Sequence, residues 1–209
     1  MEMSCRILVA FYSRNGSVEA LALAIAAGAE SEGAEVRLRR ARELVGEEVI
    51  ARVPGWAERI ERMNASYPAP TVDDAAWADG LILGAPTRFG APASELRAYL
   101  DSLGPLWLSN RLLDKAGAAF TSTSTPHGGT EATLLSLYPT LAHLGMVIVP
   151  NGYGAPINRT AGAPYGSSSV SYGARLAPPT DDDLEVARLQ GVRVTRIARA
   201  LAAAREPGS

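Results

Sequence analysis

The chain has 209 residues, a formal net charge of −2, two histidines and one cysteine. A charge so close to neutral, without a basic stripe, argues against nucleic-acid binding. It is also far less acidic than we expect of an electron carrier that docks on basic redox partners. The single Cys5 excludes an internal disulfide and cannot form a cysteine-based metal site by itself.

Residues 1–4 lead straight into a strand-like run and carry no apolar leader. No apolar run is long enough to span a bilayer. We therefore expect a cytoplasmic protein without a membrane span, with Cys5 as a small buried residue of the first strand. Residues 1–204 are predicted to form a single domain, followed by a frayed tail at 205–209.

Apolar β-type runs alternate with helical patterns, which predicts an α/β fold with a doubly wound, parallel, five-stranded sheet and helices on both faces. In chain order, the pattern predicts a strand at 6–12, a helix at 18–31, a polar edge strand at 35–40, a strand at 79–84, a helix at 93–102, a loop through Trp107, a strand at 116–122, a helix at 130–144, a strand at 146–149, and a helix at about 180–203 capped by Thr180.

Two segments do not follow this alternation. Residues 45–70 are interpreted as an excursion, with a short helix at 56–63 as one interpretation and no function assigned. Residues 151–179 are rich in Gly, Ser, Pro and Tyr and lack periodicity. A loop of that length in a compact domain is usually functional or held by a partner.

The loop at 13–17, Ser-Arg-Asn-Gly-Ser, stands between the first strand and the first helix. This arrangement is typical of a phosphate site, because hydroxyls and free backbone N–H groups gather at the positive end of the helix dipole. The loop lacks the Gly-x-Gly-x-x-Gly of dinucleotide sites and the Gly-Lys-Ser/Thr of ATP-type loops. The terminal phosphate of a mononucleotide fits it, with FMN as the first candidate. An ordinary β–α turn stays open as the alternative.

Polar loops also follow the third and fourth predicted strands, at the sheet edge where such folds bind ligands. Residues 86–90, Pro-Thr-Arg-Phe-Gly, offer a ring and a guanidinium suited to a flat polar heterocycle. Residues 121–129 are rich in hydroxyls and glycine, which suits hydrogen bonds to ring carbonyls. Taken singly, Arg88 could be a surface charge and Phe89 a packing residue. Three such loops at one edge favour a site.

The chain is most distinctive in a series of short motifs: the loop at 13–18, Pro-Thr-Arg-Phe-Gly at 86–90, Gly-Pro-Leu-Trp at 104–107, Phe-Thr-Ser-Thr at 120–123, His-Gly-Gly-Thr-Glu at 127–131, Leu-Ala-His-Leu-Gly-Met-Val-Ile-Val at 141–149, Pro-Tyr-Gly at 164–166 and Ala-Arg-Leu-Gln-Gly at 187–191. In these motifs the chain resembles the WrbA family of flavodoxin-like NAD(P)H:quinone oxidoreductases over nearly its whole length. The resemblance implies a sheet of order 2-1-3-4-5 with FMN at its edge, and a homotetramer whose flavin sites are completed by neighbouring subunits.

The resemblance also implies roles for individual residues. The FMN phosphate would be held by Ser13, Arg14, Asn15, Gly16, Ser17 and Val18. The isoalloxazine ring would be lined by Pro86, Thr87, Arg88, Phe89 and Gly90, and closed on its other side by Ser122, Thr123, Ser124, Thr125, Pro126, His127 and Gly128. Trp107 matches a position in the wall where nicotinamide or quinone stacks.

Two positions depart from the family pattern. Asn15 stands where some relatives carry an aromatic residue, and it is kept as a candidate contact for the nicotinamide substrate. Some relatives carry a histidine pair on the fourth helix, and here the pair is His143-Leu144. A flavin contact by the second histidine therefore does not transfer, and His143 alone is kept as a candidate flavin contact.

The reaction that the resemblance implies is ping-pong: NADH or NADPH gives a hydride to flavin N5, and a quinone then takes two electrons from the same face. No dedicated catalytic residue and no metal are expected, because the flavin carries the chemistry. Two alternatives stay open. One is a flavodoxin-type single-electron carrier, which the near-neutral charge disfavours, and the other is a regulatory protein that uses the fold to bind a partner.

Overall fold

The structure is a computed structural model that describes residues 4–154, 157–160 and 162–205. The strands in these residues are β1 Arg6–Phe11, β2 Glu35–Arg40, β3 Gly80–Arg88, β4 Ala91–Pro92, β5 Ala116–Thr123, β6 Val147–Ile148 and β7 Gly166–Val170. The main path of the sheet is β2-β1-β3-β5-β6, and each pair along it is parallel. Since β4 is a short antiparallel arm of β3, the predicted order 2-1-3-4-5 is confirmed.

The fifth position of the sheet is shared by two separate strands. β6 pairs with Ala116 and Gly117 at the start of β5, and β7 pairs with residues 119–123 farther along the same strand. The predicted strand 146–149 is therefore shorter than expected, and the predicted loop 151–179 contains a strand. The sequence Gly-Ser-Ser-Ser-Val of β7 is fully buried but not apolar, so hydrophobic periodicity could not reveal it.

The helices are α1 Ser17–Ser31, α2 Glu47–Ile50, α3 Trp56–Ser66, α4 Val72–Trp77, α5 Ser94–Asp101, α6 Gly104–Leu108, α7 Thr130–His143 and α8 Asp181–Arg205, with 3₁₀ turns at Ile157–Arg159 and Gly173–Arg175. They cover both faces of the sheet. One core packs the sheet against α4, α5, α6 and α7, and the other packs it against α1, α3 and α8. Alternating strand residues such as Leu8 and Val9 belong to opposite cores, as expected for a strand buried on both sides.

Three short helices differ from the sequence predictions. The prediction of a loop through Trp107 is wrong, because residues 104–108 form α6. Pro105 lies in the first turn of this helix, where proline is tolerated. The excursion at 45–70 contains α2 as well as α3, and α3 ends at Ser66 rather than residue 63. α4 was not predicted, although Thr71 and Asp74 form a complete capping box at its start.

The last helix begins as predicted. Thr180 Oγ1 accepts a hydrogen bond from the Asp183 N–H at 3.1 Å, and Asp183 Oδ2 accepts one from the Thr180 N–H at 3.0 Å. The helix runs to Arg205, and residues 206–209 of the predicted frayed tail lie outside the described residues. Within the described part of the chain, no helix is long and apolar enough to cross a membrane.

Candidate active site

An open cleft lies at the carboxyl ends of β1, β3 and β5. Its walls come from the three predicted loops: the first loop (residues 13–17) with Val18, the end of β3, and the third loop (residues 121–129). The structure thus brings these segments together at the sheet edge where the predicted topology placed them. The lining residues are Ser13, Arg14, Asn15, Ser17, Val18, Pro86, Thr87, Arg88, Ser122, Thr123, Ser124 and Ser171.

The first loop presents donors to the cleft. Gly16 has φ of 100°, a left-handed conformation that glycine adopts without strain, and it lets the chain turn sharply into α1. Ser13 Oγ accepts hydrogen bonds from the N–H groups of Gly16 and Glu19, at 3.2 and 3.3 Å. Among the described residues, the N–H groups of Asn15 and Ser17 have no acceptor. Unpaired donors at a helix N-terminus suit an anion.

Arg40 supports the first loop from behind and was not predicted to belong to the site. It ends β2, and its side chain is fully buried. Its Nη2 donates to the Ser13 carbonyl oxygen at 3.1 Å, and its Nη1 donates to Asn64 Oδ1 at 2.7 Å. Glu43 pairs with the guanidinium, which a buried charge requires. The sequence offered no signal here, since Arg40 ends a strand whose polar pattern indicated an exposed edge.

The segment 86–90 is a β-hairpin rather than a loop. β3 continues to Arg88 and pairs with Ala91 and Pro92, so Phe89 and Gly90 form a two-residue turn. Both have positive φ, 53° and 81°, as a type I′ turn requires. Phe89 is fully exposed at the tip, and neither it nor Gly90 lines the cleft.

Hydroxyls dominate the opposite wall of the cleft. Ser122 and Thr123 end β5 and are buried, whereas Ser124 is exposed. Thr123 Oγ1 donates to the carbonyl oxygen of Thr125 at 2.9 Å. The remaining predicted residues of this loop, Thr125, Pro126, His127 and Gly128, follow in the chain but do not line the cleft.

Ser171 was missed by the sequence analysis because it lies in the segment interpreted as an aperiodic loop. Its N–H donates to the Thr123 carbonyl oxygen at 2.9 Å, so β7 leads it to the cleft wall. Thr133 of α7 is a second unpredicted contact, and it shares a hydrogen bond of 2.7 Å with Thr87 Oγ1. The local sequence carried no signal for either residue.

Trp107 and His143 are not brought to the cleft of their own chain. α6 leads toward the start of β5, and α7 ends just before β6, which pairs with the start of β5. The Asp114 N–H donates to the Gly145 carbonyl oxygen at 2.9 Å, so these two chain segments meet at the amino-terminal edge of the sheet. The side chains of Trp107 and His143 are exposed at this edge, and Trp107 has a fractional exposure of 54%.

Among the described residues, the cleft lining contains no carboxylate, imidazole, amine or thiol, and its charged side chains are Arg14 and Arg88. Arg88 is exposed, and its Nη1 donates to the Thr87 carbonyl oxygen at 2.9 Å. Within the described residues, no group of three or more His, Cys, Asp or Glu side chains is placed to hold a metal ion. The cleft can therefore bind and orient an anionic, hydrogen-bonding ligand, but it lacks an acid–base pair of its own.

The strand order and the position of the cleft define a flavodoxin-like α/β protein. Residues 3–158 match the family of NADPH-dependent FMN reductases, and the chain belongs to that family.

Individual relatives agree with this assignment. A NAD(P)H dehydrogenase (quinone) of Sinorhizobium fredii is 42% identical over 204 residues, which cover 94% of this chain and 98% of the relative. One of Methanosarcina mazei is 40% identical over 207 residues, with coverages of 94% and 98%. The solved WrbA-like flavodoxin of Agrobacterium tumefaciens is similar with a TM-score of 0.66, 25% identity and coverages of 94% and 99%. These findings confirm the resemblance to the WrbA family.

Proposed function

We propose that the protein is an FMN-dependent NAD(P)H:quinone oxidoreductase. The observation that carries the proposal is the cleft at the ends of β1, β3 and β5. It is rich in hydroxyls and free N–H groups, and its described lining residues include no acid–base side chain. Such a site suits a reaction in which a bound cofactor performs the chemistry. Relatives at about 40% identity that span the same length are named NAD(P)H dehydrogenase (quinone).

The residues present fit FMN. The first loop would hold the phosphate through the Ser13 and Ser17 hydroxyls and the unpaired N–H groups of the loop. The β3 hairpin and the third loop would hold the ring from two sides, with Arg88 and the residues from Ser122 to Ser124 along its edges. Gly16, Gly90 and the residues from Thr125 to Gly128 would shape these loops rather than line the cleft.

Bound FMN would supply hydride acceptance from NADH or NADPH and two-electron delivery to a quinone. The chain would orient the ring and stabilise negative charge along its edge with hydrogen-bond donors, as an oxyanion hole does. Phe89 at the hairpin tip and Asn15 at the rim would meet the incoming substrate. No side chain of the cleft needs to transfer a proton.

We further infer that the chain works as a homotetramer, with 1–204 as one domain in each subunit. Trp107 and Leu108 are 54% and 78% exposed on α6, and Leu113 is 49% exposed just after it. Large apolar side chains exposed together favour an interface. A neighbouring subunit would then place its Trp107 and His143 over the cleft of this chain. Within a single chain, the fold keeps these two residues away from the cleft. The lone buried Cys5 supports a cytoplasmic location.

Anaerobic mixing tests the proposed function. The full chain loaded with FMN is mixed with NADH or NADPH, and benzoquinone is added after the excess nucleotide is removed. We expect the flavin absorbance to bleach in the first step and to return in the second, with one quinone reduced per flavin. Bleaching without recovery on benzoquinone would contradict quinone reduction, and no bleaching with either nucleotide would contradict the oxidoreductase.

A further inference from the structure

Arg14 lies where the first loop forms one end of the cleft, next to Ser13 and Ser17. Its guanidinium carbon is 3.8 Å from the ring centroid of Trp56, the first residue of α3. Trp56 is 3% exposed, so its ring is a fixed surface. Stacking on an aromatic face sets the plane of a guanidinium and leaves the N–H groups at its edges able to donate.

The helix that carries Trp56 is itself anchored to the elements on either side of the first loop. Met63 of α3 is fully buried, and the Tyr67 ring packs edge-on against Phe11 of β1 at 5.3 Å. Arg62 Nη1 donates to Glu19 Oε1 of α1 at 2.8 Å, and Tyr67 Oη donates to the same oxygen at 3.0 Å. The position of Trp56 is therefore tied to both β1 and α1.

Within the part of the chain that the structure describes, the positive charge of Arg14 has no carboxylate partner. Neighbouring arginines are neutralised, because Arg40 pairs with Glu43 and Arg62 pairs with Glu19. No Asp or Glu oxygen of the described residues lies within 4.0 Å of the Arg14 nitrogens. An uncompensated guanidinium thus belongs to the loop that leads into the N-terminus of α1, and both the charge and the helix terminus favour an anion.

We propose that α3 holds Arg14 in place as a cationic ligand for the terminal phosphate of FMN. The proposal rests on the proposed FMN-dependent function, and it gives the segment 45–70 a role: Trp56 is a positioning residue that acts through Arg14. Because the stack restricts Arg14 before the phosphate arrives, binding loses less side-chain freedom. The guanidinium then forms charge-assisted hydrogen bonds to phosphate oxygens.

Equilibrium binding of flavins to the full chain, freed of flavin beforehand, tests this inference. Dissociation constants for FMN and for riboflavin, which lacks the phosphate, are measured by calorimetry for wild type, Arg14→Met, Trp56→Leu, Trp56→Phe and the double variant R14M/W56L. Arg52→Met is the matched control, since Arg52 is exposed between α2 and α3 and does not line the cleft. Each titration is repeated at two salt concentrations.

We expect Arg14→Met to raise the FMN dissociation constant about 10- to 100-fold and to leave the riboflavin constant unchanged. The salt dependence of FMN binding should weaken in the same variant. Trp56→Leu should weaken FMN binding by a smaller factor, with no further loss in the double variant. Trp56→Phe, which keeps an aromatic face, should bind FMN more tightly than Trp56→Leu does.

Three results would overturn the inference: equal effects of Arg14→Met and Arg52→Met, equal weakening of FMN and riboflavin by Arg14→Met, or additive effects of the Arg14 and Trp56 changes. If wild type binds FMN tightly and Arg14→Met binds it equally well, this inference alone is overturned. A wild-type chain that binds neither flavin overturns the proposed function as well.

Discussion

Phe89 adopts a backbone conformation that aromatic residues rarely tolerate. Its φ is 53°, and its side chain is fully exposed, so no burial offsets the strain. Such strain costs about 1–3 kcal/mol and is characteristic of functional sites. We expect Phe89→Asn to raise the free energy of unfolding by about 1 kcal/mol while lowering the rate of quinone-dependent turnover, as measured by urea denaturation and steady-state kinetics.

Leu176→Asn is the control for this prediction. Leu176 has φ of 46° and is half exposed, but it follows the 3₁₀ turn Gly173–Arg175 and is not part of the β3 hairpin, whose residues Thr87 and Arg88 line the cleft. Leu176→Asn should therefore raise the free energy of unfolding by a similar amount without changing the rate of quinone-dependent turnover. If Phe89→Asn is as active as wild type, Phe89 has no part in substrate binding.

Cys5 should be unreactive in the folded protein. It lies immediately before β1 and is 3% exposed. Burial, reinforced by the charge of Asp79, raises the pKa of its thiol to about 11. Since the thiolate is the reactive form, a disulfide reagent at pH 8 should modify folded Cys5 at least about 100-fold more slowly than the urea-unfolded chain. Equal rates would show that the first strand opens readily.

Some residues of the site could be predicted from the sequence, and others could not. Ser13 and Asn15 follow β1, and Arg88 ends β3, at the edge where α/β folds bind ligands, so local pattern and topology were sufficient. Arg40 and Ser171 reach the site only through tertiary contacts with Ser13 and Thr123. Such contacts join residues distant in the chain, and no local pattern records them.

The same limit applies to whole elements. The first helix follows a helical pattern, and β1, β3 and β5 are apolar runs, so their existence and order were predicted correctly. The fifth strand was predicted only in its first part, β6, because its second part, β7, is built largely from serines. It is stabilised instead by Gln190 of α8, which accepts from the Ser167 N–H at 3.1 Å and donates to the Ala119 carbonyl oxygen at 2.8 Å.

The contact between α1 and α8 depends on two glycines. A Cβ on Gly28 would lie 1.9 Å from the Arg188 carbonyl oxygen, and one on Gly191 would lie 2.0 Å from the Ile25 carbonyl oxygen. Because both obstacles are backbone atoms, the helices would have to separate. We expect Gly28→Ala and Gly191→Ala each to lower the free energy of unfolding by about 1–3 kcal/mol in urea denaturation.

Gly104→Ala serves as the comparison for the α1–α8 variants. Gly104 is also a helix residue, but apart from its chain neighbours and its own helix backbone, no atom of the described residues lies within 4 Å of an added Cβ. We expect that variant to be as stable as wild type, or slightly more stable. Losses of equal size at Gly104 and Gly191 would contradict the close-packing explanation.

The contact between α1 and α3 should make stability depend on pH. Burial works to raise the pKa of Glu19, but hydrogen bonds from Arg62 and Tyr67 outweigh it and lower the pKa below its ordinary value of 4.5. A carboxyl whose pKa is lower in the folded than in the unfolded state stabilises the fold above pH 4.5 and loses that contribution as the pH falls through the folded pKa.

Denaturation curves between pH 3 and 7 test this dependence. Glu19→Gln should be less stable than wild type at pH 7, and the difference should narrow below about pH 4.5. Glu61→Gln, which removes an exposed carboxylate from α3, should follow the wild-type curve. A constant difference between Glu19→Gln and wild type across the whole range would exclude ionised Glu19 as the anchor of α3.

At the scale of the whole molecule, the cleft of one chain explains cofactor binding better than it explains substrate binding. The walls that would hold FMN come from one sheet edge, whereas Trp107 and His143 lie at the opposite edge. The sequence could indicate both sets of residues through motifs. It could not show that one chain leaves them apart, since that separation depends on the paths of α6 and α7 through the fold.

The central claim is that this cleft carries FMN and passes electrons from a nicotinamide nucleotide to a quinone. The most direct test is to purify the full chain with added FMN, determine the flavin stoichiometry, and follow oxidation of NADH and NADPH with and without benzoquinone. We expect one FMN per chain and rapid oxidation that requires the quinone. Stoichiometric FMN without quinone-dependent oxidation of either nucleotide would contradict the claim and favour a single-electron carrier.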